Sequence, residues 1–159
     1  MITRNKLSLA SLSVAFTVTL FSCTSLGSTE DQTRGENLWQ SISDYQDWTS
    51  PEGWEGFQES ASIHGDYVKI YVNSVMSQNL ANPPAGSIVV KEGFGKEDTA
   101  SLKAITVMQR VEGYGAESGN WFYARYSPSG SMSHAGTPGM CTACHKRARG
   151  GDFLFVNDD

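Results

Sequence analysis

The sequence predicts an α+β fold, mainly β, in which one antiparallel sheet is accompanied by a few short helices. Three observations predict it. Several segments between residues 67 and 126 read as strands, the first with strict apolar/polar alternation. The connections between them are of turn length, with no room for the long crossover helices that parallel strands require. Only one long stretch, near the start of the domain, repeats its apolar residues at helical spacing.

In chain order, Arg4 and Lys6 precede an apolar run over residues 7–21 that is broken only by serine and threonine. A basic start followed by an apolar run too short to span a bilayer is the pattern of an export signal, so residues 1–22 are expected to be a leader. The run ends in Leu20-Phe21-Ser22-Cys23, which resembles the box at which bacterial lipoproteins are cut and then acylated. Cys23 is therefore the expected lipid anchor, and the mature chain is expected in the periplasm or on the periplasmic side of the membrane. The alternative is a cysteine in an ordinary, discarded leader. Residues 23–35 are Ser, Thr, Gly and charge, with Leu26 the only large apolar side chain, which predicts a flexible tether.

The domain is expected over residues 36–159. Within 36–48, Leu38, Ile42, Tyr45 and Trp48 are spaced by four, three and three, one face of a helix, and Thr49-Ser50-Pro51-Glu52-Gly53 stops it. A Gly-rich, acidic loop follows through Trp54 and Phe57. Strands are then expected over 67–73, 86–92, 104–111 and 121–126, with a short helical turn after 74 ended by Asn82-Pro83-Pro84. A last short strand is expected over 152–156.

The 159 residues include 12 Lys and Arg, 17 Asp and Glu, and 3 Cys. Leader removal takes Arg4 and Lys6 and no acid, which leaves ten basic side chains against 17 acidic and a formal charge of −7. Such a balance carries no nucleic-acid footprint. About 136 residues remain, enough for one domain with one core, and three cysteines are too few for a disulfide scaffold.

Two of those cysteines lie in Cys141-Thr142-Ala143-Cys144-His145. Two cysteines separated by two residues and followed at once by histidine match the attachment signature of a c-type haem. Each thiol adds to one vinyl group of the porphyrin, and the adjacent histidine is thereby delivered to the iron as an axial ligand. Three other readings use the same spacing: a local disulfide, a thioredoxin-like redox pair and half of a zinc site. Zinc lacks two further ligands, since only His64 and His134 remain and there is no second cysteine pair. A thioredoxin-like pair belongs at the start of a helix after a strand in a βαβ unit, whereas residues 133–140 read as a loop.

The ordered series His64-Gly65, the strand Val68-Lys69-Ile70-Tyr71-Val72-Asn73, then Gly86-Ser87-Ile88-Val89-Val90-Lys91-Glu92, Thr106-Val107-Met108, Asn120-Trp121-Phe122, the cysteine motif and Asp152-Phe153-Leu154-Phe155 resembles the cytochrome P-460 family, which includes the β-type cytochromes c′. The resemblance covers about the last hundred residues. It implies a mainly antiparallel β domain, often a homodimer, that holds one covalently bound haem c with five-coordinate iron. Cys141 and Cys144 then match the thioether cysteines and His145 the proximal iron ligand. Lys91 matches the lysine that is cross-linked to the porphyrin edge in the hydroxylamine-oxidising members. By alternation alone Lys91 shares a strand face with Val89, so its ammonium either reaches water at a sheet rim or is held beside something.

For the ligand-binding side of the iron, His134 and His64 are the candidate proton acceptors, with His64 alternatively an anchor for the first strand. Met132 and Met140 are candidate iron ligands, while Met76 and Met108 read as core. Trp121, Phe122, Tyr123 and Tyr126 are expected to divide between core and haem packing. Three functions of different classes follow. One is an oxidoreductase that turns hydroxylamine into nitrogen oxides with a soluble cytochrome as electron acceptor. The second is a binding protein for nitric oxide or another diatomic gas. The third is simple electron transfer with methionine as sixth ligand.

Overall fold

The structure, a computed structural model, describes residues 26–158. The expected leader, Cys23 and the first residues of the tether lie outside them. Helix α1 (Thr29–Ser41) is followed by six strands, β1 (Gln58–Ser62), β2 (Gly65–Val72), β3 (Ile88–Phe94), β4 (Leu102–Arg110), β5 (Trp121–Tyr126) and β6 (Met132–Gly136). A single turn of helix, α2 (Ser74–Ser77), separates β2 from β3, and α3 (Gly139–His145) follows β6. The strands lie in chain order in one sheet, every neighbouring pair antiparallel, so the expected mainly β, α+β fold is what forms.

Alternation gives the sheet two buried faces. One carries Ile88, Val90, Ile105, Val107, Phe122 and Tyr126, and it packs against Leu38 and Ile42. The other carries Val68, Ile70, Val72, Val89, Met108 and Trp121, and it packs against Leu154 and the half-buried Cys141. The aromatic run of β5 is thereby divided: Phe122 and Tyr126 face α1, and Trp121 and Tyr123 face the C-terminal segment.

The helical face expected over 36–48 exists, but two elements share it. Leu38 belongs to α1, Ile42 caps that helix, and Tyr45 sits in a separate 3-10 turn. The helix also begins earlier than its composition suggested and takes in residues 29–35 of the expected tether. Ser28 caps it: its hydroxyl accepts from the Asp31 backbone amide at 3.1 Å, and the Asp31 carboxylate accepts from the Ser28 amide at 3.0 Å. Tyr126 then donates its hydroxyl to the Gly35 carbonyl at 2.7 Å, which fastens this first half of the helix to β5.

Three local expectations are corrected. Residues 58–62, for which no strand was expected, form β1, a polar edge strand that has no apolar alternation to announce it. Residues 132–136 form β6, although 133–140 read as loop; the strand exists because it pairs with β5. Residues 152–156 alternate like a strand but do not form one. Asp152 and Phe153 have φ of 53° and 64°, in the left-handed region, and a 3-10 turn follows at Phe155–Asn157.

On the α1 face, Glu92 is buried to 2 % exposure among three donors. The Tyr45 hydroxyl lies at 2.6 Å, the Gln46 amide at 2.7 Å and the Tyr71 hydroxyl at 3.2 Å from its carboxylate oxygens. The carboxylate ties the 3-10 turn to two strands. Hydrogen bonds to a charged group are the strong ones, and removing it leaves the donors without a partner. Glu92→Ala is expected to cost about 3 kcal/mol, seen as a lower denaturant midpoint at unchanged slope. An unchanged midpoint would show that water replaces the carboxylate without loss.

Candidate functional site

The second sheet face, α3 and the C-terminal segment enclose a cavity of about 550 Å³, within the size range of cofactor sites. Register explains its floor. Ile70, Lys91, Thr106, Arg125 and His134 are cross-strand partners in succession, one transverse row over five strands. The next row is Val72, Val89, Met108 and Tyr123. A polar row beside an apolar one lies under the same cavity.

The cysteine motif forms the opposite wall. It lies on α3, where Cys141 and Cys144 are three residues apart and His145 four from Cys141, so helical geometry turns all three toward one side. Both cysteines are free thiols, and all three side chains line the cavity. His145 is buried, and its Nδ1 lies 2.8 Å from the Phe153 carbonyl oxygen. A carbonyl only accepts, so Nδ1 carries the proton and Nε2 is left bare, the state in which an imidazole binds a metal.

That carbonyl is held in place by the left-handed pair Asp152 and Phe153. Two contacts pin Asp152: the Trp121 indole donates to its carbonyl at 2.9 Å, and Arg110 pairs with its carboxylate. Backbone in this region costs about 1–3 kcal/mol per residue, so it persists only where its surroundings determine it. Here they do, and the residue they aim is the partner of His145.

Among the described residues that line it, the cavity has one acid, Glu59, against Lys91, Arg125 and Arg147. Lys91 and Arg125 both line it, and neither makes an ion pair or a side-chain hydrogen bond among the described residues. Burial lowers the Lys91 ammonium to about 8, a thiolate at Cys144 pulling the other way. Burial, then Lys91, presses His64 down to about 3. Burial also lowers His145 and, with Arg125, His134. Burial raises the Cys141 thiol, the reverse of the lowered value that a redox-active cysteine needs. A strand, β6, and not a loop alone, precedes α3, but the sheet is antiparallel throughout and has no βαβ unit in which a thioredoxin-like pair would sit.

Of the residues singled out for the site, Lys91, His64, His134, Met140, Cys141, Cys144 and His145 reach the cavity, and Met132 does not. His134 comes from a strand and not from a loop, its Nδ1 3.0 Å from the Ser133 hydroxyl. Met140 lines the cavity mouth and is 53 % exposed, while Met132 packs on the α1 side of the sheet. Arg125 and Thr106 escaped notice in the sequence. Period two along β5, from Trp121 through Tyr123 to Arg125, carried the signal for the arginine; Thr106 had none, because its role depends on strand register.

A cofactor with anionic substituents, two thiol attachment points and a metal that takes an imidazole fits these walls: an apolar row, free thiols on one side, a bare Nε2 and two cations without partners. No curated protein matches the chain at a significant level. The pattern of the Cytochrome P460 family matches residues 42–156, which contain all six strands and α3, and the chain therefore belongs to the cytochrome P460 family of haem cytochromes.

Proposed function

We propose that the chain is an exported mono-haem c cytochrome whose iron offers an open axial position to a small nitrogenous molecule, and that hydroxylamine is oxidised there. The observation that carries this reading is the convergence of Cys141, Cys144, the bare Nε2 of His145 and Lys91 on one cavity. When bound, the haem supplies the iron centre that coordinates the small molecule and takes up its electrons.

The residues of the chain do the rest. Cys141 and Cys144 would hold the porphyrin through thioethers, and His145, its ring orientation set by the Phe153 carbonyl, would ligate the iron. Val89, Met108 and Tyr123 keep water from the macrocycle. Arg125, which lines the cavity without an ion-pair partner among the described residues, would offset the negative charge of the porphyrin carboxylates. Lys91, its ammonium lowered to about 8 by burial, is the side chain that would lie against the porphyrin edge. His134, lowered by burial and Arg125, is neutral at pH 7 and able to accept a proton at the cavity rim. The cytochrome acts outside the cytoplasm, lipid-anchored at Cys23, as a homodimer that passes electrons to a soluble cytochrome. Cys23→Ser tests the anchor: the chain should move from the membrane to the soluble fraction.

The apolar walls formed by Val68, Ile70, Val89 and Met108 favour a second reading, uptake of nitric oxide or another diatomic gas without turnover. Absorption spectra of the haem-loaded protein before and after hydroxylamine separate the two. Oxidation supports the enzyme; binding without reduction of the iron supports the gas carrier. Lys91→Ala is the matched control. A cross-link predicts a strongly red-shifted ferrous Soret band that returns to the ordinary haem c position in the variant. Identical spectra would remove Lys91 from the cofactor.

A further inference from the structure

Among the described residues, three buried side-chain polar atoms have no hydrogen-bond partner: Arg34 Nε, Ser87 Oγ and the Tyr123 hydroxyl. Of the three residues, only Tyr123 lines the large cavity, and it is 4 % exposed. A phenol taken out of water without a partner is costly, so a buried tyrosine ordinarily finds an acceptor. The other tyrosines packed in or against the core do so. Tyr45 and Tyr71 donate to Glu92, Tyr114 to Asp31 and Tyr126 to the Gly35 carbonyl. Tyr123 is the exception.

Its surroundings hold no protein acceptor for it. On β5 it is paired with Met108 of β4 and Gly136 of β6, neither of which brings a side-chain oxygen or nitrogen. On the cavity side it packs in a cluster with Val89, Leu154 and Cys141. Its ring leans on that of His145, with centroids 5.4 Å apart and planes tilted by 59°. His145 has nothing to offer: Nδ1 is taken up by the Phe153 carbonyl, and Nε2 is the nitrogen that would face the iron. A sulfur at Cys141 is a weak acceptor at best. The partner of the hydroxyl therefore comes from whatever fills the cavity.

The chemistry of a porphyrin narrows the choice. Its pyrrole nitrogens are held by the iron, and its carboxylates are the strong acceptors that remain. Arg125, the cation of the same cavity without an ion-pair partner among the described residues, lies two residues further along the same face of β5, about 7 Å along the strand. A neutral donor and a cation thus stand side by side on one strand.

We propose that the Tyr123 hydroxyl donates a hydrogen bond to a carboxylate of the bound porphyrin, beside Arg125, and so helps to seat the cofactor and to set its reduction potential. This rests on the haem reading given above. The phenol keeps its proton throughout, and no covalent bond forms or breaks. A donor on the carboxylate draws negative charge away from the iron and favours the ferrous state, one of the levers by which a protein tunes a haem.

The test uses the full haem-loaded chain. Tyr123→Phe keeps the ring against His145 and deletes only the hydroxyl. Its reduction potential should be lower than that of the wild type, and the carboxylate stretching band in the redox-difference infrared spectrum should shift. 3-Fluorotyrosine placed at position 123, a stronger donor of nearly the same shape, should move both in the opposite direction. Should the phenylalanine variant not take up haem, the fluorinated protein gives the same reading. An unchanged potential and band overturn the proposal. So does a changed potential with an unmoved carboxylate band, which would assign the hydroxyl another acceptor. A haemochrome spectrum of the denatured wild type distinguishes the failures: covalent haem with an unmoved band sinks the role of Tyr123 alone, whereas no covalent haem removes the haem c reading as well.

Discussion

Replacing Trp121 by alanine is expected to lower the stability by about 4 kcal/mol, in the range for a large aromatic side chain removed from a core. Trp121 is 0 % exposed and sits on β5 where the sheet meets the C-terminal segment. Its loss opens a cavity and also strips the Asp152 carbonyl of its donor. In a domain of this size, whose total stability is on the order of 5–15 kcal/mol, such a change removes a large share. The control is Trp121→Phe, which keeps most of the volume and deletes the hydrogen bond, and is expected to cost about 1–2 kcal/mol. The phenylalanine variant should also reach the site. With Asp152 held by Arg110 alone, the left-handed pair relaxes and the Phe153 carbonyl draws back from His145 Nδ1. A weaker hydrogen bond makes the imidazole a poorer electron donor, so the reduction potential of the haem-loaded variant should rise. An unchanged potential at reduced stability would show that the strap supports the core only.

Acid should weaken the fold well before the carboxylates titrate. Burial, then Lys91, holds His64 at about 3, against 6.5 for the free side chain. Between these values the unfolded chain binds a proton that the native one refuses, so stability rises with pH across the window and is fully present above the upper value. On acidification it is lost from about pH 6.5 downward, at a limiting slope of about 1.4 kcal/mol per pH unit. His145 and His134, also lowered, add to the loss with the same sign. Asp31 contributes only at lower pH. Burial raises it, but bonds from Tyr114 and Ser28 outweigh that and hold it below its ordinary value. Urea midpoints measured from about pH 4 to about pH 7 should fall with acidification and fall less in His64→Gln. Equal slopes in the two proteins would show that the imidazole is solvated, not buried.

The strands with alternating apolar residues were legible because two-sided burial is written into every second residue, as in Val68, Ile70 and Val72 or in Val89 against Val90. β1 and β6 were not legible. They are edge strands of polar and small residues, and their backbone is ordered by a neighbour, not by their own side chains. The segment at 152–156 misled in the opposite direction. Its alternation is real, yet Trp121, Arg110 and His145 compete for its backbone and carboxylate and bend it out of the extended region. Propensity yields there to three tertiary contacts.

Something similar separates the parts of the site. The cysteine motif and Lys91 could be found in sequence because each depends on local geometry: i, i+3 and i+4 on one turn of helix, and one face of one strand. The row from Lys91 through Thr106 and Arg125 to His134 could not, since it exists only once four strands have settled into register.

By itself the sequence determined the mainly β class, the spacing of Cys141, Cys144 and His145, and the family to which the chain belongs. The tertiary structure alone decided that the motif lies on a helix, which face of the sheet lies under the cavity, which histidines reach it, and which nitrogen of His145 is bare. Local pattern tells a side chain which way to point along its own element. What it meets there depends on the register and packing of the other elements, which no short stretch of sequence contains.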